Sequence, residues 1–203
     1  RQMCIRDRLI EAVLLNYSLP DHDLKMTFLP SDFTQVNFEL NQKMINLALQ
    51  LLDLNKEDEV IDLFCGLGNF TLPISRYVKT VVGIEGDSGL VERAKENARQ
   101  NGVSNASFYK ADLCEDVSGF EWFRGKKYNK ALIDPARSGA IEIVELLPKL
   151  DVERLVYVSC NPSTLARDTS RLIDLGFTLS SAGVMDMFPQ TAHVESIALF
   201  LKK

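Results

Sequence analysis

The chain has 203 residues, 46% of them hydrophobic and 25% charged, and its formal net charge is −5. This composition excludes a disordered or fibrous chain, and no apolar run approaches the ~20 residues that a membrane-spanning helix needs, so we expect no membrane partner. The acidic charge argues against a protein that binds nucleic acid by itself, because phosphate contacts favour basic surfaces, although net charge does not exclude a local basic patch.

The cysteines predict neither a metal site nor a disulfide framework. Cys4, Cys65, Cys114 and Cys160 lie far apart and form no C-x-x-C pair. We therefore expect no metal ion bound by this chain. Free thiols in a compact chain favour a reducing, cytoplasmic setting.

Hydrophobic periodicity divides the chain into two parts. Residues 1–24 show weak periodicity and end in a break, whereas residues 25–203 show regular alternation. We expect residues 1–24 to be an N-terminal segment left from a preceding region, and residues 25–203 to form one domain. Within this domain we predict strands at 25–29, 60–65, 80–85, 106–111, 130–134, 155–159, 178–185 and 194–201, and helices at 41–53, 70–77, 88–100, 141–147 and 163–175.

Strands that alternate with helices indicate a parallel sheet with both faces covered. The last two predicted strands have no helix between them, so we expect them to form a hairpin that adds one antiparallel strand. We therefore predict an α/β, Rossmann-like fold with a mostly parallel seven-stranded sheet. An ordinary dinucleotide-binding fold would end on another strand–helix unit, and the predicted order is instead typical of S-adenosylmethionine-dependent methyltransferases.

A nucleotide-type site is predicted where the first strand of this sheet ends in Gly66-x-Gly68. Ligands of such sheets bind beyond the carboxyl ends of the strands, and glycines let the backbone approach them, although a plain tight turn explains two glycines equally well. Glu85 ends the next strand, where a carboxylate can accept both ribose hydroxyls or simply be solvated. Asp112 ends the third strand and is either near an adenine or an ordinary loop acid.

The third glycine of a G-x-G-x-x-G pattern is missing, because position 71 is Thr. The helix start therefore shows little sign of a pyrophosphate cradle. We expect a ligand with a ribose and no diphosphate, and S-adenosylmethionine fits this description better than NAD. A dehydrogenase also lacks support because no hydride-transfer constellation is present.

The fifth strand ends in a cysteine that has the features of a nucleophile. Cys160 is expected on the ligand side, and Asn161 and Pro162 begin the next helix, with Pro at a first-turn position that suits it. Backbone dipoles at a helix start favour a thiolate. A small buried hydrophobe is the alternative for a lone cysteine. Cys65 precedes the glycine turn and is expected to pack against or line the site.

Polar side chains at two further strand ends complete the predicted site. Asp134 ends the fourth strand and can hold a charged amino group of the ligand or a polar edge of a substrate. Arg137 either contacts a phosphate or carboxylate or is a surface arginine. Glu195 begins the last strand and could reach the pocket as a general base, although alone it would be an ordinary strand-end acid.

Five stretches of the sequence resemble one family, the RNA (uracil-5-)-methyltransferases, which use S-adenosylmethionine. The resemblance runs from about Lys25 to the C-terminus. The Asp-Pro-Ala-Arg form and the Met-Asp-Met-Phe-Pro run at 185–189 look most like the 23S ribosomal RNA branch, with the tRNA branch as the close competitor. The stretches are Asp32–Asn37, Asp62–Thr71, Asp134–Arg137, Ser159–Asp168 and His193–Ser196.

The resemblance implies that residues 25–203 are a catalytic domain that methylates carbon 5 of a uridine in RNA, with ribosomal RNA as the expected partner. Cys160 would be the nucleophile that adds to carbon 6, and Glu195 the base. The target uridine would leave its stack to reach the thiol. Asp112 stands where the ribosomal branch has Asn. With the glycine turn, the implied cofactor-binding residues are Gln35, Phe64, Gly66, Asn69, Glu85, Asp112 and Asp134.

Full-length members of that family carry an N-terminal nucleic-acid-binding barrel, and the ribosomal branch usually has an iron–sulfur cluster on upstream cysteines. We expect both only in a part that precedes this chain, and we expect the chain to be a monomer. Two alternatives remain open. A methyltransferase that acts on nitrogen would need no nucleophilic cysteine, and a catalytically silent RNA- or cofactor-binding module is disfavoured by the presence of both Cys160 and Glu195.

Overall fold

The structure, a computed structural model, describes residues 13–187, 190 and 194–202. The strands of these residues are β1 (Leu15–Leu19), β2 (Leu24–Phe28), β3 (Glu59–Leu63), β4 (Thr80–Glu85), β5 (Ala106–Lys110), β6 (Lys130–Ile133), β7 (Arg154–Ser159), β8 (Phe177–Met185) and β9 (Glu195–Lys202). The helices are α1 (Phe38–Leu52), α2 (Thr71–Ser75), α3 (Ser88–Gln100), α4 (Ile141–Val144) and α5 (Pro162–Asp174).

Seven strands form one sheet in the order β5-β4-β3-β6-β7-β9-β8. Every neighbouring pair from β5 to β7 is parallel, whereas β9 is antiparallel to both β7 and β8. Because β8 and β9 follow each other without a helix, β9 must reverse direction and enter between β7 and β8. The predicted mostly parallel seven-stranded sheet with one antiparallel strand is confirmed.

The central strands are mostly apolar, as expected where both faces of a sheet are covered, and the buried polar exceptions include Asp62 of β3 and Lys130 of β6. All four residues of β6 are buried. Its neighbouring residues Leu132 and Ile133 contribute to different core layers, as successive side chains of a strand must. One layer contains Met44 of α1 and Val91 of α3, and the other contains Leu172 of α5.

The sheet topology brings the ends of several strands together at one edge of the sheet. The chain order reverses between β3 and β6, which are neighbours, and ligands of open α/β sheets bind at such a switch point. The carboxyl ends of β3, β4, β6 and β7 meet at this edge. The amino end of β9 lies there too, because β9 runs in the opposite direction.

Where helix bounds differ from the predicted ones, the cause is local. α1 begins at Phe38 rather than at 41, because the Asn37 side chain accepts a hydrogen bond from the Leu40 backbone N–H at 3.1 Å and caps the helix. α4 ends at Val144 rather than at 147, and a 3₁₀ turn that contains Pro148 follows it. β4 and α3 have their predicted bounds.

Weak periodicity did not predict β1, which forms an antiparallel hairpin with β2. Leu19 and Met26 of this hairpin are buried in the same core layer as α1. The Thr27 backbone N–H donates to Asn97 Oδ1 of α3 at 2.8 Å, which ties the hairpin to the domain. The hairpin spans the expected boundary between residues 24 and 25, and that boundary stays a prediction.

Some predicted features lie outside the described residues. These are Cys4, the Phe188-Pro189 part of the 185–189 run, and His193 of the last resembling stretch. Within the residues that are described, no helix is both long and apolar enough to cross a membrane.

Candidate active site

A cavity of about 440 Å³ opens at the carboxyl edge of the sheet, which is large enough for a small-molecule ligand. Both predicted catalytic residues and all but one of the predicted cofactor residues line it. These are Gln35, Phe64, Gly66, Asn69, Glu85, Asp134, Cys160 and Glu195. Arg137 and Cys65 line it as well. Their roles stay predictions, but the fold brings them to one place.

Asp112 is the exception, because it does not line this cavity. Its side chain is exposed at the end of β5, and its Oδ1 accepts a hydrogen bond from the Cys114 backbone N–H at 2.9 Å. A role for Asp112 in cofactor binding therefore stays a prediction that this geometry does not support.

The turn after β3 has an unusual backbone. Phe64 has a φ of 66°, in the left-handed region that side chains rarely adopt, and Gly66 follows with a φ of 55°. Strained backbone of this kind is retained at ligand sites when the surrounding structure imposes it. Here the Cys65 N–H donates to the Ile84 carbonyl of β4 at 2.9 Å, which holds the turn against the neighbouring strand.

Glu85 is held in place by the same turn. Its Oε2 accepts a hydrogen bond from the Gly66 backbone N–H at 3.0 Å, and its Oε1 accepts one from the Asp87 N–H at 2.9 Å. A carboxylate has about four lone-pair sites, so both oxygens can still accept hydroxyl donors. The geometry is that of an oriented acceptor for a diol such as a ribose.

Tyr17, which lines the cavity, and Asn41, which is buried on α1, were not predicted as part of the site, and both contact Asn69. Asn69 Oδ1 accepts hydrogen bonds from the Tyr17 hydroxyl at 2.9 Å and from Asn41 Nδ2 at 3.0 Å, and Asn69 Nδ2 donates back to Asn41 Oδ1. Asn41 is buried on the apolar face of α1. That polar residue on an otherwise hydrophobic stripe was the one signal in the sequence.

Gln35 carries an unmet hydrogen-bonding group. Its Oε1 is buried, and no donor reaches it within the part of the chain that the structure describes. Buried polar atoms are nearly always hydrogen-bonded in native proteins, so an unpaired one at a cavity wall points to a ligand or an ordered water. Gln35 is therefore placed to accept a hydrogen bond from a bound molecule.

Asp62 is fully buried beneath the turn and was also missed as a functional residue. Its Oδ2 accepts a hydrogen bond from the Thr71 hydroxyl at 2.5 Å, whereas its Oδ1 has no partner among the described residues. Burial raises the pKa of Asp62 to about 8, and the charges of Asp134 and Glu85 act in the same direction. Burial likewise raises the pKa of Asp134 to about 7, with Glu195 adding to it.

Cys160 and Glu195 come from neighbouring antiparallel strands. Cys160 follows the last residue of β7, and Glu195 is the first residue of β9. The thiol is half-buried, and Glu195 is buried. Burial raises the pKa of Glu195 above its usual range. The sheet thus puts a sulfur and a carboxyl group on the same wall of the cavity.

The expected stabilisation of the Cys160 thiolate is not what the structure shows. Burial raises the pKa of this thiol, the charges of Glu195 and Asp134 raise it further, and Arg137 acts in the opposite direction. Desolvation and the two carboxylates all oppose a further negative charge at this position. The thiol form of Cys160 is therefore favoured.

Taken together, these groups favour a cationic ligand with a nucleoside portion. Glu85, Asp134 and Glu195 line the cavity, and Asp62 lies behind it. Mutual repulsion and desolvation of these acids would be offset by a bound positive charge. Among the described residues no group of three or more His, Cys, Asp or Glu side chains is arranged to hold a metal ion.

Comparison with known proteins relates the chain to one family. A family model described as tRNA (Uracil-5-)-methyltransferase matches residues 3–203. A relative from Vesicomyosocius okutanii, named 23S rRNA (uracil(1939)-C(5))-methyltransferase RlmD, is 71% identical over 193 residues. A relative of the same name from Xanthomonas oryzae is 57% identical over 194 residues. Each alignment covers 95% of this chain and 44% of the relative, so the chain spans less than half the length of these proteins.

A solved structure also resembles the chain. The Pyrococcus abyssi tRNA (uracil-54, C5)-methyltransferase, in complex with S-adenosyl-L-homocysteine, superposes with a TM-score of 0.76 at 27% sequence identity. The similarity covers 93% of this chain and 44% of that one.

Proposed function

This chain belongs to the tRNA (uracil-5-)-methyltransferase family, and on that premise we propose that it methylates carbon 5 of a uridine in RNA, with S-adenosylmethionine as the methyl donor. The observation that carries this proposal is that Cys160 and Glu195 line the same cavity as Asp134 and the turn at Phe64. A thiol, a base and a nucleoside-type site in one cavity are the parts that this chemistry needs.

The residues present fit such a donor. S-adenosylmethionine would supply a methyl group on a positively charged sulfur. Glu85 would accept its ribose hydroxyls, since both carboxylate oxygens are already oriented by backbone N–H groups. Gln35 Oε1, a buried acceptor without a partner among the described residues, would receive a donor group. The carboxyl groups that line the cavity, Asp134 among them, would favour the positive charges of the donor.

Cys160 would begin the reaction as a covalent catalyst. Carbon 5 of uracil is too weak a nucleophile to take a methyl group directly. The Cys160 thiol first loses its proton to solvent. Its sulfur then forms a bond to carbon 6, and the electron pair of the C5–C6 double bond moves into an enolate. Carbon 5 is then nucleophilic, and it bonds to the methyl carbon as the sulfur–methyl bond of the donor breaks.

Glu195 would complete the reaction as a general base. Its carboxylate takes the proton from carbon 5, and the electron pair of that C–H bond re-forms the C5–C6 double bond. The bond between carbon 6 and the Cys160 sulfur breaks, and its electron pair returns to sulfur. The high pKa of Glu195 suits this step, because a stronger base removes a carbon-bound proton more readily.

The substrate proposed is 23S ribosomal RNA, because the relatives that share 71% and 57% of their aligned residues with this chain are named for it. The target uridine would be unstacked and turned into the cavity, since the half-buried thiol cannot reach a base inside a helix. A ribosomal substrate implies action in the cytoplasm. We further propose that residues 25–203 act as the catalytic domain and that the chain works as a monomer.

Methyl transfer to defined transcripts tests this function. The 203-residue chain is incubated with labelled S-adenosylmethionine and unmodified 23S rRNA or tRNA, made by in vitro transcription, and the modified nucleoside is identified. We expect label in 5-methyluridine of the 23S transcript. If the chain binds both the donor and the RNA but transfers no label to either transcript, the proposal is contradicted. Transfer by a Cys160→Ser variant would instead favour a methyltransferase that acts on nitrogen.

A tRNA substrate is the second candidate. It is favoured by the structural similarity to the Pyrococcus abyssi tRNA enzyme, which extends over 93% of this chain. Label that enters the tRNA transcript in preference to the 23S transcript would select this candidate and leave the catalytic assignment intact.

A further inference from the structure

A buried carboxylate outside the cavity contacts both the strand that leads to the proposed nucleophile and the loop that follows the neighbouring strand. Asp168 of α5 is completely buried. Its Oδ2 accepts hydrogen bonds from the Ala140 backbone N–H at 2.8 Å and from the Tyr157 hydroxyl at 2.7 Å. Its Oδ1 accepts from Arg167 Nε at 2.8 Å, and Arg167 Nη2 lies 2.7 Å from the same oxygen.

The partners of Asp168 come from both sides of the site. Tyr157 lies on β7, three residues before Cys160. Ala140 ends the segment 134–140, which we call the 134–140 loop and which carries Asp134 and Arg137 into the cavity. The Asp168 carboxylate therefore holds both the strand that leads to the Cys160 thiol and the 134–140 loop, which follows the neighbouring strand β6.

Two further hydrogen bonds fasten the same loop to the start of α5. Arg167 Nη2 donates to the Ser138 carbonyl at 3.0 Å. Asn161 Nδ2 donates to the Arg137 carbonyl at 3.0 Å, while Asn161 Oδ1 caps α5 through the Ser163 N–H. Because Asn161 directly follows Cys160, the loop is joined to the thiol-bearing turn as well as to the helix.

The loop backbone is shaped to admit this arrangement. Gly139 has a φ of 82°, in the left-handed region. A Cβ at this position would lie 2.6 Å from Arg167 Nη2 and 2.7 Å from Asp168 Oδ2. Any side chain at position 139 must therefore displace the carboxylate or its arginine, in addition to straining the backbone.

The buried part of this network is rigid, because displacement of the Asp168 carboxylate would leave the Tyr157 hydroxyl and the Ala140 N–H without their acceptor. Asp134 has an independent attachment, since its backbone N–H donates to the Leu63 carbonyl of β3 at 3.3 Å. The Arg137 end of the loop lacks a sheet strand of its own, and the contacts described above hold it to α5. Loss of the carboxylate should therefore affect Arg137 more than Asp134.

We propose that Asp168 is a positioning residue, which acts with Arg167 to set the Arg137 end of the 134–140 loop against Cys160. The proposal rests on the function proposed above and adds a residue that does not touch the cavity. Arg137 lines the same cavity as Cys160, and its charge favours the thiolate, so its displacement should lower the reactivity of the sulfur. A displacement of about 1 Å at a reacting centre can cost about a hundredfold in rate, and we therefore expect an effect on the chemical step with donor binding largely unchanged.

Two variants test this role from opposite sides. Asp168→Asn removes the charge and part of the accepting capacity, and Gly139→Ala keeps every polar group but inserts a methyl group into the network. Asp174→Asn, an exposed acid on the same helix, is the matched control. We expect kcat of methyl transfer to fall at least about tenfold in both test variants, with the Kd for S-adenosylmethionine changed less than about threefold. The control should match the unchanged protein.

The reactivity of Cys160 provides a readout that needs no RNA. Iodoacetamide labelling is followed by peptide mass spectrometry across pH, with exposed Cys114 as the internal reference. The charged groups that act on Cys160 are Glu195, Asp134 and Arg137, and only Arg137 favours the thiolate. If Arg137 moves away in Asp168→Asn or Gly139→Ala, the labelling midpoint of Cys160 should shift to higher pH, while that of Cys114 stays constant.

The outcomes separate positioning from general stability. Retention of kcat within twofold and an unchanged Cys160 midpoint in both variants would overturn the proposal. Equal losses of donor affinity and kcat, together with a lower thermal midpoint, would also overturn it, since they indicate a structural role only. If Asp168→Asn does not fold, Tyr157→Phe replaces it and should show a smaller shift of the same sign. If the unchanged chain transfers no methyl group, the proposed function fails and the labelling profile still decides the positioning role.

Discussion

Ser159 of β7 lies opposite Ser196 of β9 in the antiparallel register. The next residue beyond each of them, toward the cavity, is Cys160 on one strand and Glu195 on the other. The hairpin that brings β9 back into the sheet thus places a carboxyl group beside the thiol. A parallel strand at this position would bring its carboxyl end to the cavity instead and leave Glu195 at the far edge of the sheet.

Removal of the thiol should abolish transfer without loss of donor binding. In Cys160→Ala we expect methyl transfer to fall by at least about a thousandfold, because no group remains to activate carbon 5. The Kd for S-adenosylmethionine, measured by calorimetry, should change little. Cys114→Ala removes an exposed thiol and serves as the control. Residual transfer near the original rate would refute the nucleophile assignment.

Replacement of the proposed base should trap the reaction after the sulfur has added. Glu195→Gln is expected to accumulate a covalent complex with RNA, because the proton on carbon 5 stays in place and the thiol cannot leave. The complex is detected as a slow band in denaturing gels. Glu142→Gln alters an exposed acid near the start of α4 and should give no such band. A variant that turns over normally, or forms no adduct while still binding RNA, would count against Glu195 as the base.

The charge of the bound cofactor should control the ionisation of Cys160. Without ligand, burial and the charges of Glu195 and Asp134 raise the pKa of the thiol. A positive sulfur in the cavity favours the thiolate, so S-adenosylmethionine should move the Cys160 labelling midpoint to lower pH. S-adenosylhomocysteine lacks that charge and should move it less. The two ligands are compared at saturating concentration in the same labelling assay, with Cys160→Ala as the control for labelling at other sites. Equal shifts of the Cys160 midpoint would contradict the electrostatic argument.

The buried acid beneath the turn should make stability depend on pH. Burial raises the pKa of Asp62 to about 8 in the folded protein, against about 4 in the unfolded chain. Its contribution to stability is therefore fully present below pH 4 and is lost as the pH rises through about 8. Asp62→Asn mimics the neutral form, so the variant should gain stability relative to the unchanged protein as pH rises.

We expect the thermal midpoints of Asp62→Asn and the unchanged protein to be similar at pH 5. At pH 8.5 the variant should be higher by at least roughly 2–4 °C, the shift that about 1 kcal/mol produces in a domain of this size. Asp174→Asn, an exposed replacement of the same kind, should show no such trend. A midpoint difference that does not grow with pH would show that Asp62 is not held neutral.

A buried ion pair at the opposite end of the sheet should stabilise the fold without affecting the site. Lys130 Nζ lies 2.7 Å from Asp58 Oδ2, and both side chains are nearly inaccessible. Lys130→Met leaves the buried Asp58 carboxylate without this counter-ion, with only Asn55 and Asn129 donating to it among the described residues. The variant should cost about 3–5 kcal/mol in the free energy of unfolding, measured with urea. Lys127→Met breaks an exposed pair with Asp151 and should cost less than about 1 kcal/mol. Similar costs for the two variants would contradict the burial argument.

Strong periodic signals made most of the fold predictable. β4 and α3 have their predicted bounds, because a run of β-branched residues and a clear apolar stripe each allow one interpretation. β1 was missed because its burial comes from α1 and the rest of the same core layer, which lie far away in sequence. Short strands that depend on such distant contacts have no strong local signature.

The structure brings most of the predicted site residues to one cavity, and it does not reproduce the expected stabilisation of the Cys160 thiolate. Strand-end positions placed Cys160, Glu195 and Asp134 at one edge, because the carboxyl ends of parallel strands must meet there. The favoured thiolate did not follow, since Glu195 arrives from β9 and adds its charge to that of Asp134. Asp62 and Asn41 were likewise missed, because their importance comes from burial.

The sequence alone determined the order along the chain of the strands in the seven-stranded sheet, the position of the glycine turn and the residues at the strand ends, because period and spacing are local properties. The ionisation of Cys160, the unpaired oxygen of Gln35 and the attachment of the 134–140 loop to Asp168 were decided only by the tertiary structure. The physical reason is that desolvation and charge–charge effects depend on which groups share a low-dielectric volume, and residues distant in sequence come together there only when the chain folds.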